Sequence, residues 1–540
     1  MSITTPSSAT GQDLLANMAR IPVIIPGTLS ERRDSEGKIN GWKLQRWYQG
    51  RNQTRYIPAE QVEKVREGTA GHRQFMTLAQ EYVDLKGQEA LRELNSPADS
   101  KKKSHETVEA PAQELHDFVD RAGQTLLRDG VGDIRWLEIG LRETSTRACR
   151  NLLEGLLTLP GLHIPEDERR EGERCVGNVK RTIHTLFGDI EIKRNWYKTA
   201  EADAGRFPLD ETLRLIDGYT PALAGSICRS AAREAFVDAQ EDFHAHTGLE
   251  VDARQFQRLA LRVGAWAEDF LRTDPGLGTG TPPRVYVQLD GTGAPLRHQE
   301  LAGRRGKGPD GKAQTHEIKV AAIFTEHPRP GEPPWRDLDS TTYVATDERC
   351  GPFGPMVRAE FRRRFAGQPE TVALGDGAPW IWECFRVQFP WAIQIVDFHH
   401  AAQRLGTLAE LVDPRDSRDW KRLRRKWVTK LWNGKIDALF TSVRAALPTR
   451  KRKAGEKALE YFDTHRQRMR YDFFRQKGYF IGSGVVEAGC KTLVCQRFKC
   501  SGMHWSQRGL KYLLAIRTAL LSNRYNEFWN WHSSKLQSAA

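Results

Sequence analysis

Long hydrophobic runs are missing from this chain of 540 residues, and its mean hydropathy is −0.60. A membrane-spanning helix needs about 20 consecutive apolar residues, so we expect no such helix here. The segment Met1–Ser8 also lacks a basic stretch followed by an apolar core, and we expect no signal peptide. The sequence therefore predicts a cytoplasmic protein.

Cysteine is also scarce, with eight residues and no Cys-x-x-Cys pair. Cys490, Cys495 and Cys500 follow one another at intervals of five residues. This spacing is typical neither of a zinc site nor of a disulfide framework. We therefore predict reduced thiols.

Acidic residues are outnumbered, with 69 Asp and Glu against 82 Lys and Arg. The formal net charge is +13 and the pI is near 9.3. This excess favours a polyanionic partner, although it bears on association and not on fold. The length alone predicts about three or four domains.

Two short apolar strands in the middle of the chain are each predicted to end on an aspartate. Arg284–Asp290 runs into Gly-Thr-Gly, and Thr371–Asp376 runs into Gly-Ala-Pro. Far downstream, Ile481–Glu487 places a glutamate in the first turns of a predicted helix. Hard cations such as Mg²⁺ take oxygen ligands, so a few carboxylates are enough to hold them. The alternative is that each Asp-Gly pair only marks a turn.

The order of predicted strands and helices argues for the metal site. Three strands, ending at Asp290, Phe324 and Ala345, precede a helix, a strand ending at Asp376, a second helix and a strand ending at Asp397. This is the order of an RNase H-like fold, in which the first and fourth strands are neighbours. Asp290 and Asp376 are therefore expected side by side. Adjacent carboxylates repel one another, so we expect one raised pKa in the empty site.

The sequence predicts a mixed α/β protein with mainly helical DNA-binding modules before the catalytic domain. The predicted segments are a hairpin-plus-helix module (1–94), a linker (95–111), a mainly helical domain with a β-hairpin (112–278), the catalytic domain (279–400 and 481–530) and an all-helical insertion (401–480) before the last acid.

Two parts of the N-terminal half have open alternatives. The first module either contacts nucleic acid or presents an ordinary solvated surface. Two helices near 221–247 and 252–273, joined by Gly248–Glu250, are either a DNA-reading helix-turn-helix or a hairpin that only packs.

A basic, tryptophan-rich helix is predicted after the fifth strand. Arg422, Arg425 and Lys426 are expected to contact phosphates, since a predicted nucleic-acid enzyme lies beside them. Trp420 and Trp427 fall on one helical face and are expected to pack in the core.

Five ordered motifs carry a resemblance to a known family. They are Leu289–Pro295, Gly375–Trp380, Asp397–His400, Gly482–Glu487 and Arg497–Ser506. Together they resemble the DDE transposases of bacterial insertion sequences, most closely the ISKra group, over residues 180–530. The N-terminal hairpin and helix resemble a small module of related proteins more weakly.

The resemblance implies catalytic and metal-binding roles for Asp290, Asp376 and Glu487, with Mg²⁺ or Mn²⁺ as cofactor and two ions in the site. Asp397 with His400 is similar to the Asp-x-x-His motif of Mutator-like enzymes. His400 is then a catalytic residue that steadies a phosphate or a strand end, or it only satisfies local hydrogen bonds. His399 and Asp397 are expected to support the site.

The resemblance also bears on DNA, on zinc and on location. Arg497, Lys499 and Trp505 are expected to contact DNA. Family members often carry paired cysteines just after the second hairpin, whereas this chain has Tyr197–Ala202, so no zinc is expected. The expected partners are double-stranded DNA, as terminal inverted repeats and target DNA, and further copies of the chain, at the bacterial nucleoid.

We predict a transposase that cuts DNA at insertion-sequence ends and joins the freed 3′-OH to target DNA. The alternatives are an RNase H-fold nuclease without strand transfer and a domesticated sequence-specific DNA-binding protein. The latter would normally have lost an acid of the triad, and all three are present here.

Overall fold

The computed structural model is mixed α/β, as predicted, with 58% of the chain in helices and 21% in strands. The chain divides into two compact units, Met1–His163 and Ile164–Ala540. The structure describes residues 11–33, 38–48, 51–93, 100–129, 134–158, 170–199, 205–273, 276–301, 315–327, 329 and 334–539.

The first unit is a small antiparallel sheet with helices. Its helices and strands are α1 (Gly11–Ala19), β1 (Thr28–Arg33), β2 (Ile39–Tyr48), β3 (Arg51–Ile57), α2 (Val62–Glu93), α3 (Ser100–Asp129) and α4 (Ile134–Leu157). Ile57, Val62 and Val65 form a buried cluster that the half-buried Trp42 and Leu44 of β2 pack against. This cluster joins the sheet to the start of α2.

The first unit differs from the prediction in two places. The hairpin of β2 and β3 is confirmed, but β1 adds a third strand that the polar sequence did not reveal. The expected linker at 95–111 is helical from Ser100 onward, because its lysines and glutamate are good helix formers. Residues 95–99 of that linker lie outside the described part of the chain.

The second unit begins with a hairpin and a group of helices. These are β4 (Glu173–Thr185), β5 (Gly188–Thr199), α5 (Pro208–Thr212), α6 (Pro221–Arg233), α7 (Phe236–Thr247) and α8 (Ala253–Arg272). The predicted hairpin is confirmed. The first predicted helix is divided into α6 and α7 at Glu234 and Ala235, and Asp252 is the N-cap of α8.

The central sheet and its helices follow. They are β6 (Arg284–Pro295), β7 (Thr315–His327), β8 (Trp335–Arg336), β9 (Thr342–Thr346), α9 (Cys350–Arg364), β10 (Glu370–Gly375), α10 (Pro379–Gln388) and β11 (Ile393–Val396). The strand order is β11-β10-β6-β7-β8, and β9 also pairs with β7. β6, β10 and β11 are parallel, whereas β7 is antiparallel to β6. The first and fourth predicted strands are therefore neighbours, as expected.

The rest of the chain is helical. It comprises α11 (Phe398–Ala409), α12 (Arg418–Trp432), α13 (Ile436–Ala446), α14 (Arg452–Thr464), α15 (Tyr471–Gln476), α16 (Gly484–Gly489), a π-helical turn (Cys490–Cys495), α17 (Gln496–Phe498), α18 (Gln507–Leu521) and α19 (Tyr525–Ala539). Ser506 caps α18 by accepting a hydrogen bond from Gly509 N–H.

The sheet has a buried core on each face. Alternate residues of β7 point to opposite faces. Ala321 and Ile323 pack with α9, α10 and the helices of the insertion, whereas Ile318, Val320 and Ala322 pack with α6, α8 and α18. The helices before the sheet therefore complete one of its two cores.

The strand predicted to end at Asp290 is longer than expected. β6 continues through Gly291 and Gly293 to Pro295 and stays paired with β7. At Gly293 a Cβ atom would lie 2.2 Å from the Thr315 hydroxyl oxygen, so glycine permits this close pairing. Gly291 and Gly293, which offered a turn as the alternative, instead continue β6 in its pairing with β7.

No helix of the described chain is long and apolar enough to cross a membrane.

Trp420 and Trp427 of α12 were expected to pack in the core. Trp427 is fully buried and donates a hydrogen bond to the Ser442 hydroxyl, and Trp420 donates to the Gly406 carbonyl. Both therefore pack inward, as predicted.

We expect Trp427→Ala to lower the free energy of unfolding by ~3–5 kcal/mol, because it leaves a large cavity in the core. Urea denaturation followed by tryptophan fluorescence and circular dichroism measures this loss. The neighbouring exposed Lys426, changed to alanine, should shift stability by less than about 0.5 kcal/mol. Equal effects of the two substitutions would contradict the packing described for α12.

Candidate functional site

Three aspartates lie where the parallel pairing of β6, β10 and β11 ends: Asp290 lies within β6, and Asp376 and Asp397 directly follow β10 and β11. Leu374 of β10 is opposite Gln288 of β6, and Gly375 of β10 is opposite Val396 of β11. Continuing these registers brings Asp376 level with both Asp290 and Asp397. The strand pairing therefore gathers the three carboxylates at one edge of the sheet.

Asp290 is half-buried beside the π-helical turn. Its Oδ1 accepts a hydrogen bond from Gly291 N–H at 2.7 Å, and the Cys490 thiol lies 3.5 Å from its Oδ2. Burial raises the pKa of the Asp290 carboxyl, the Gly291 N–H partly offsets this, and the nearby Asp376 adds to the increase. One acid of the site thus has the expected raised pKa, although burial contributes more than the repulsion that we predicted.

Asp376 begins a tight loop. Its Oδ1 accepts from Ala378 N–H at 2.8 Å, and its backbone carbonyl accepts from the Tyr461 hydroxyl of α14 at 3.0 Å. Gly377 has a φ of +99°, and a Cβ atom there would lie 2.5 Å from the same hydroxyl oxygen. The loop therefore needs glycine, and it leaves Oδ2 of Asp376 without a hydrogen bond among the described residues.

Asp397 is completely buried and has no unused acceptor position. Its Oδ1 accepts from His400 N–H at 2.6 Å and from His400 Nδ1 at 3.1 Å. Its Oδ2 accepts from Ser483 N–H at 2.5 Å and from the Ser483 hydroxyl at 2.9 Å. A carboxylate offers about four lone-pair positions, so these four donors satisfy it. Burial alone would raise the pKa of Asp397, but the hydrogen bonds lower it to about 2.

Glu487 and His400 stand next to this buried carboxylate. The Ser483 hydroxyl lies 3.0 Å from Oε1 of Glu487, and His400 Nδ1 lies 3.8 Å from the same oxygen. The hydrogen bond to Asp397 raises the pKa of His400, and burial partly offsets it. His400 Nε2 and Glu487 Oε2 form no hydrogen bond with any described residue, so both can contact a ligand.

A buried glutamine holds the segment that carries Glu487 against the sheet. Gln288 of β6 donates to the Gly482 carbonyl at 3.1 Å and accepts from Val486 N–H at 3.0 Å. It lies two residues before Asp290 on the same face of the strand. One side chain therefore sets the distance between the sheet edge and the first turn of α16.

The ligand atoms of Asp397, His400 and Glu487 lie within 4.8 Å of one another, close enough for a metal ion. Because four donors already satisfy Asp397, we assign it to holding His400 and Ser483 in place. Within the described chain, Asp290, Asp376 and Glu487 each retain an oxygen without a strong hydrogen bond. They offer the oxygen donors that a hard cation prefers.

The predicted DNA contacts divide into an exposed group and a buried pair. Arg422, Arg425 and Lys426 are exposed on α12, and the Arg422 side chain is 75% exposed beside Asp419. Lys499 is exposed and donates to the Thr292 hydroxyl, two residues beyond Asp290. His399 is exposed next to Gly482.

Arg497 and Trp505 do not fit the expected role as DNA contacts, because both are buried. Arg497 is fully buried, donates to the Ala231 carbonyl at the end of α6 and packs on the Phe236 and Trp505 rings. Trp505 donates to the Phe498 carbonyl. Arg497 therefore joins α17 to α6 within the core, and neither buried side chain is accessible to DNA.

Three residues of the site were not predicted from the sequence. Gln288 is a polar residue inside an apolar strand, and this is a signal that a search for buried polar groups would have found. Ser483 lies in a Gly-Ser-Gly stretch that reads equally well as a turn. Tyr461 comes from a distant helix, and nothing in its local sequence marks it.

No protein-family model matches this chain, and no curated protein matches its sequence. Its function is therefore argued from the geometry of the site.

The Asp397–His400 pair makes stability depend on pH in two windows. The pKa of Asp397 falls from 3.8 to about 2 on folding, so its contribution is present above about pH 4 and is lost as the pH falls toward 2. This loss is ~2 kcal/mol. The pKa of His400 is raised, so its contribution is present below pH 6.5 and is lost as the pH rises through the folded pKa. Urea denaturation of the metal-free protein between pH 2 and pH 8 measures both.

The variant Asp397→Asn should be less stable at pH 5 and should lose the acid-side dependence, since its amide does not titrate. The exposed Asp463, changed to asparagine, should behave like the wild type. If Asp397→Asn keeps the full loss below pH 4, another carboxyl group is responsible.

Proposed function

We propose that this chain is a DNA transposase of the DDE type, with Asp290, Asp376 and Glu487 as its catalytic acids. The observation that carries the proposal is the gathering of Asp290 and Asp376 where the parallel pairing of β6 and β10 ends, with Glu487 brought to the same edge by Gln288. Because these three acids are far apart in sequence and come close together only through the fold, their proximity supports a shared chemical role.

The topology supports an RNase H-like catalytic domain. The order β9-β7-β6-β10-β11, with β7 antiparallel and the last three strands parallel, agrees with that fold. The helices α11 to α15 lie between the sheet and the segment that carries Glu487, as an insertion before the last acid. This is the arrangement that the motif resemblance implies for this class of transposase.

The residues of the site fit phosphoryl transfer on DNA. Two divalent ions, Mg²⁺ or Mn²⁺, held by Asp290, Asp376 and Glu487 would activate the attacking oxygen and stabilise the leaving oxygen. The protein provides position: the Asp376 loop is tied to Tyr461, and the Glu487 helix is tied to Gln288. Water attacks in the cleavage step, and the freed 3′-OH attacks target DNA in the joining step.

His400 is held in place for contact with a phosphate. Asp397 accepts from its Nδ1 and fixes the ring, which leaves Nε2 for a phosphate oxygen. The raised pKa of His400 favours the imidazolium form, which suits an anionic ligand.

Each of Asp290→Asn, Asp376→Asn and Glu487→Gln should lower metal-dependent cleavage by more than about 100-fold, because each removes a metal ligand. DNA binding should change little. The measurement is cleavage of a plasmid that carries the insertion-sequence ends, with Mg²⁺ or with EDTA, together with a gel-shift titration.

Glu383→Gln is the matched control, since Glu383 is an exposed carboxylate of α10 that pairs with Arg386. Cutting that ignores the ends would favour a nuclease without strand transfer. Binding without cutting under every metal would favour a DNA-binding protein. Loss of both binding and cutting in the acid variants would indicate a folding role.

The exposed basic face of α12 is the proposed contact surface for DNA flanking the cut. Replacing Arg422, Arg425 and Lys426 by glutamine should weaken binding at low salt. It should also reduce the slope of log K against log salt by about 0.9 for each phosphate that the variant no longer neutralises. Fluorescence anisotropy across a salt series measures the slope. Arg386→Gln, an exposed arginine on α10, should leave the slope unchanged, and an equal effect would rule out a specific role for α12.

A further inference from the structure

An exposed arginine stands beside the acid cluster and has no carboxylate partner among the described residues. Arg404 lies four residues after His400 on α11, so the two side chains project from the same helix face. His400 is close enough to Asp376 and Glu487 for both to raise its pKa. Arg404 is therefore the next cation along the helix from the site.

An aromatic ring holds Arg404 in this position. Its guanidinium carbon lies 4.0 Å from the centroid of the Tyr461 ring. The hydroxyl of the same ring donates to the Asp376 carbonyl at 3.0 Å. Tyr461 thus connects the guanidinium directly to the loop of a proposed catalytic acid.

The nearby carboxylates do not pair with Arg404. Several other arginines of this unit do pair with an acid, as Arg444 does with Glu456 at 2.9 Å and Arg386 does with Glu383. Arg404 forms no ion pair within the described chain, although acids lie within a few side chains of it. Tyr461 contacts one side of the guanidinium, and the N–H groups of a guanidinium match a phosphate bidentately.

We propose that Arg404 binds the DNA phosphate at the cleaved bond, with Tyr461 holding its guanidinium toward the acid cluster. The inference rests on the proposed DNA cleavage and deepens it by naming a phosphate-binding residue outside the acidic triad. A DNA strand that enters the cluster brings negative charge to negative carboxylates. A fixed cation at the edge offsets that repulsion at the point where the phosphate sits.

The test is a binding cycle on a duplex that carries an insertion-sequence end. Wild-type protein with Mg²⁺ first maps the cut. Affinities are then measured with Ca²⁺ for the natural duplex and for one with a neutral methylphosphonate at the mapped position. The wild type should lose about tenfold in affinity when that phosphate is neutralised, as expected for one charge-assisted contact. Arg404→Gln should bind the natural duplex about tenfold more weakly and lose nothing more on the neutral one.

Arg444→Gln is the matched control. Arg444 belongs to the same helical insertion, packs near the Phe440 ring and is exposed, but it is already paired with Glu456. Arg444→Gln should lose the same affinity as the wild type when the phosphate is neutralised. Circular dichroism melting of both variants confirms that each is folded before binding is compared.

One contrary result is that Arg404→Gln and the wild type lose the same affinity when the phosphate is neutralised, in a protein that cuts at the ends. That result would overturn the role of Arg404 and leave the proposed function intact. A wild-type protein that does not cut in any metal overturns both. Arg404→Lys adds a second check, because it keeps the charge but not the planar stack. It should regain part of the affinity that Arg404→Gln loses for the natural duplex.

Discussion

The buried carboxylate of Asp397 is the interaction on which the arrangement of the site depends. Four donors from two segments converge on it: the backbone and ring of His400, and the backbone and hydroxyl of Ser483. It therefore joins the end of β11, the first turn of α11 and the loop before α16. An ionised group at this depth is tolerated only because every lone pair is satisfied. Removing one donor leaves a buried charge uncompensated, so the three segments are held as one unit.

The helical insertion also helps to hold the site in place. It contributes Tyr461 to the Asp376 loop, and its aromatic core is continuous with one face of the sheet. The opposite face is covered by α6, α8 and α18, which also carry the buried Arg517 that donates to the Leu493 carbonyl. The helix that carries Glu487 therefore packs on the core formed with α6, α8 and α18, and Ser483 contacts the Glu487 carboxylate.

Local patterns in the sequence identified much of this arrangement, and long-range contacts account for what they missed. The strands, the two helices between them and the adjacency of Asp290 and Asp376 follow from alternating apolar residues and the order of strands and helices. The same patterns do not show which face of a motif is buried, so Arg497 and Trp505 were assigned to DNA although they lie in the core. The strand was predicted to end at Asp290, because only the pairing with β7 shows that Gly291 and Gly293 continue it. Tyr461 and Ser483 act through partners 85 and 86 residues away.

The electrostatics of the acid cluster support the proposed cation. The carboxylates of Asp290 and Asp376 are near enough for one to raise the pKa of the other, and burial adds to that cost. Asp397 offsets its own burial with hydrogen bonds, but Asp290 has only one backbone donor and a thiol nearby among the described residues. Asp376 and Glu487 likewise keep an unused oxygen within that part of the chain. A protein with a net charge of +13 has many cations to neutralise these acids, yet Arg404, which stands beside them, is held on Tyr461 instead. Oxygens without hydrogen bonds, beside a cation that does not pair with them, support the proposal that this site binds a metal ion and a phosphate.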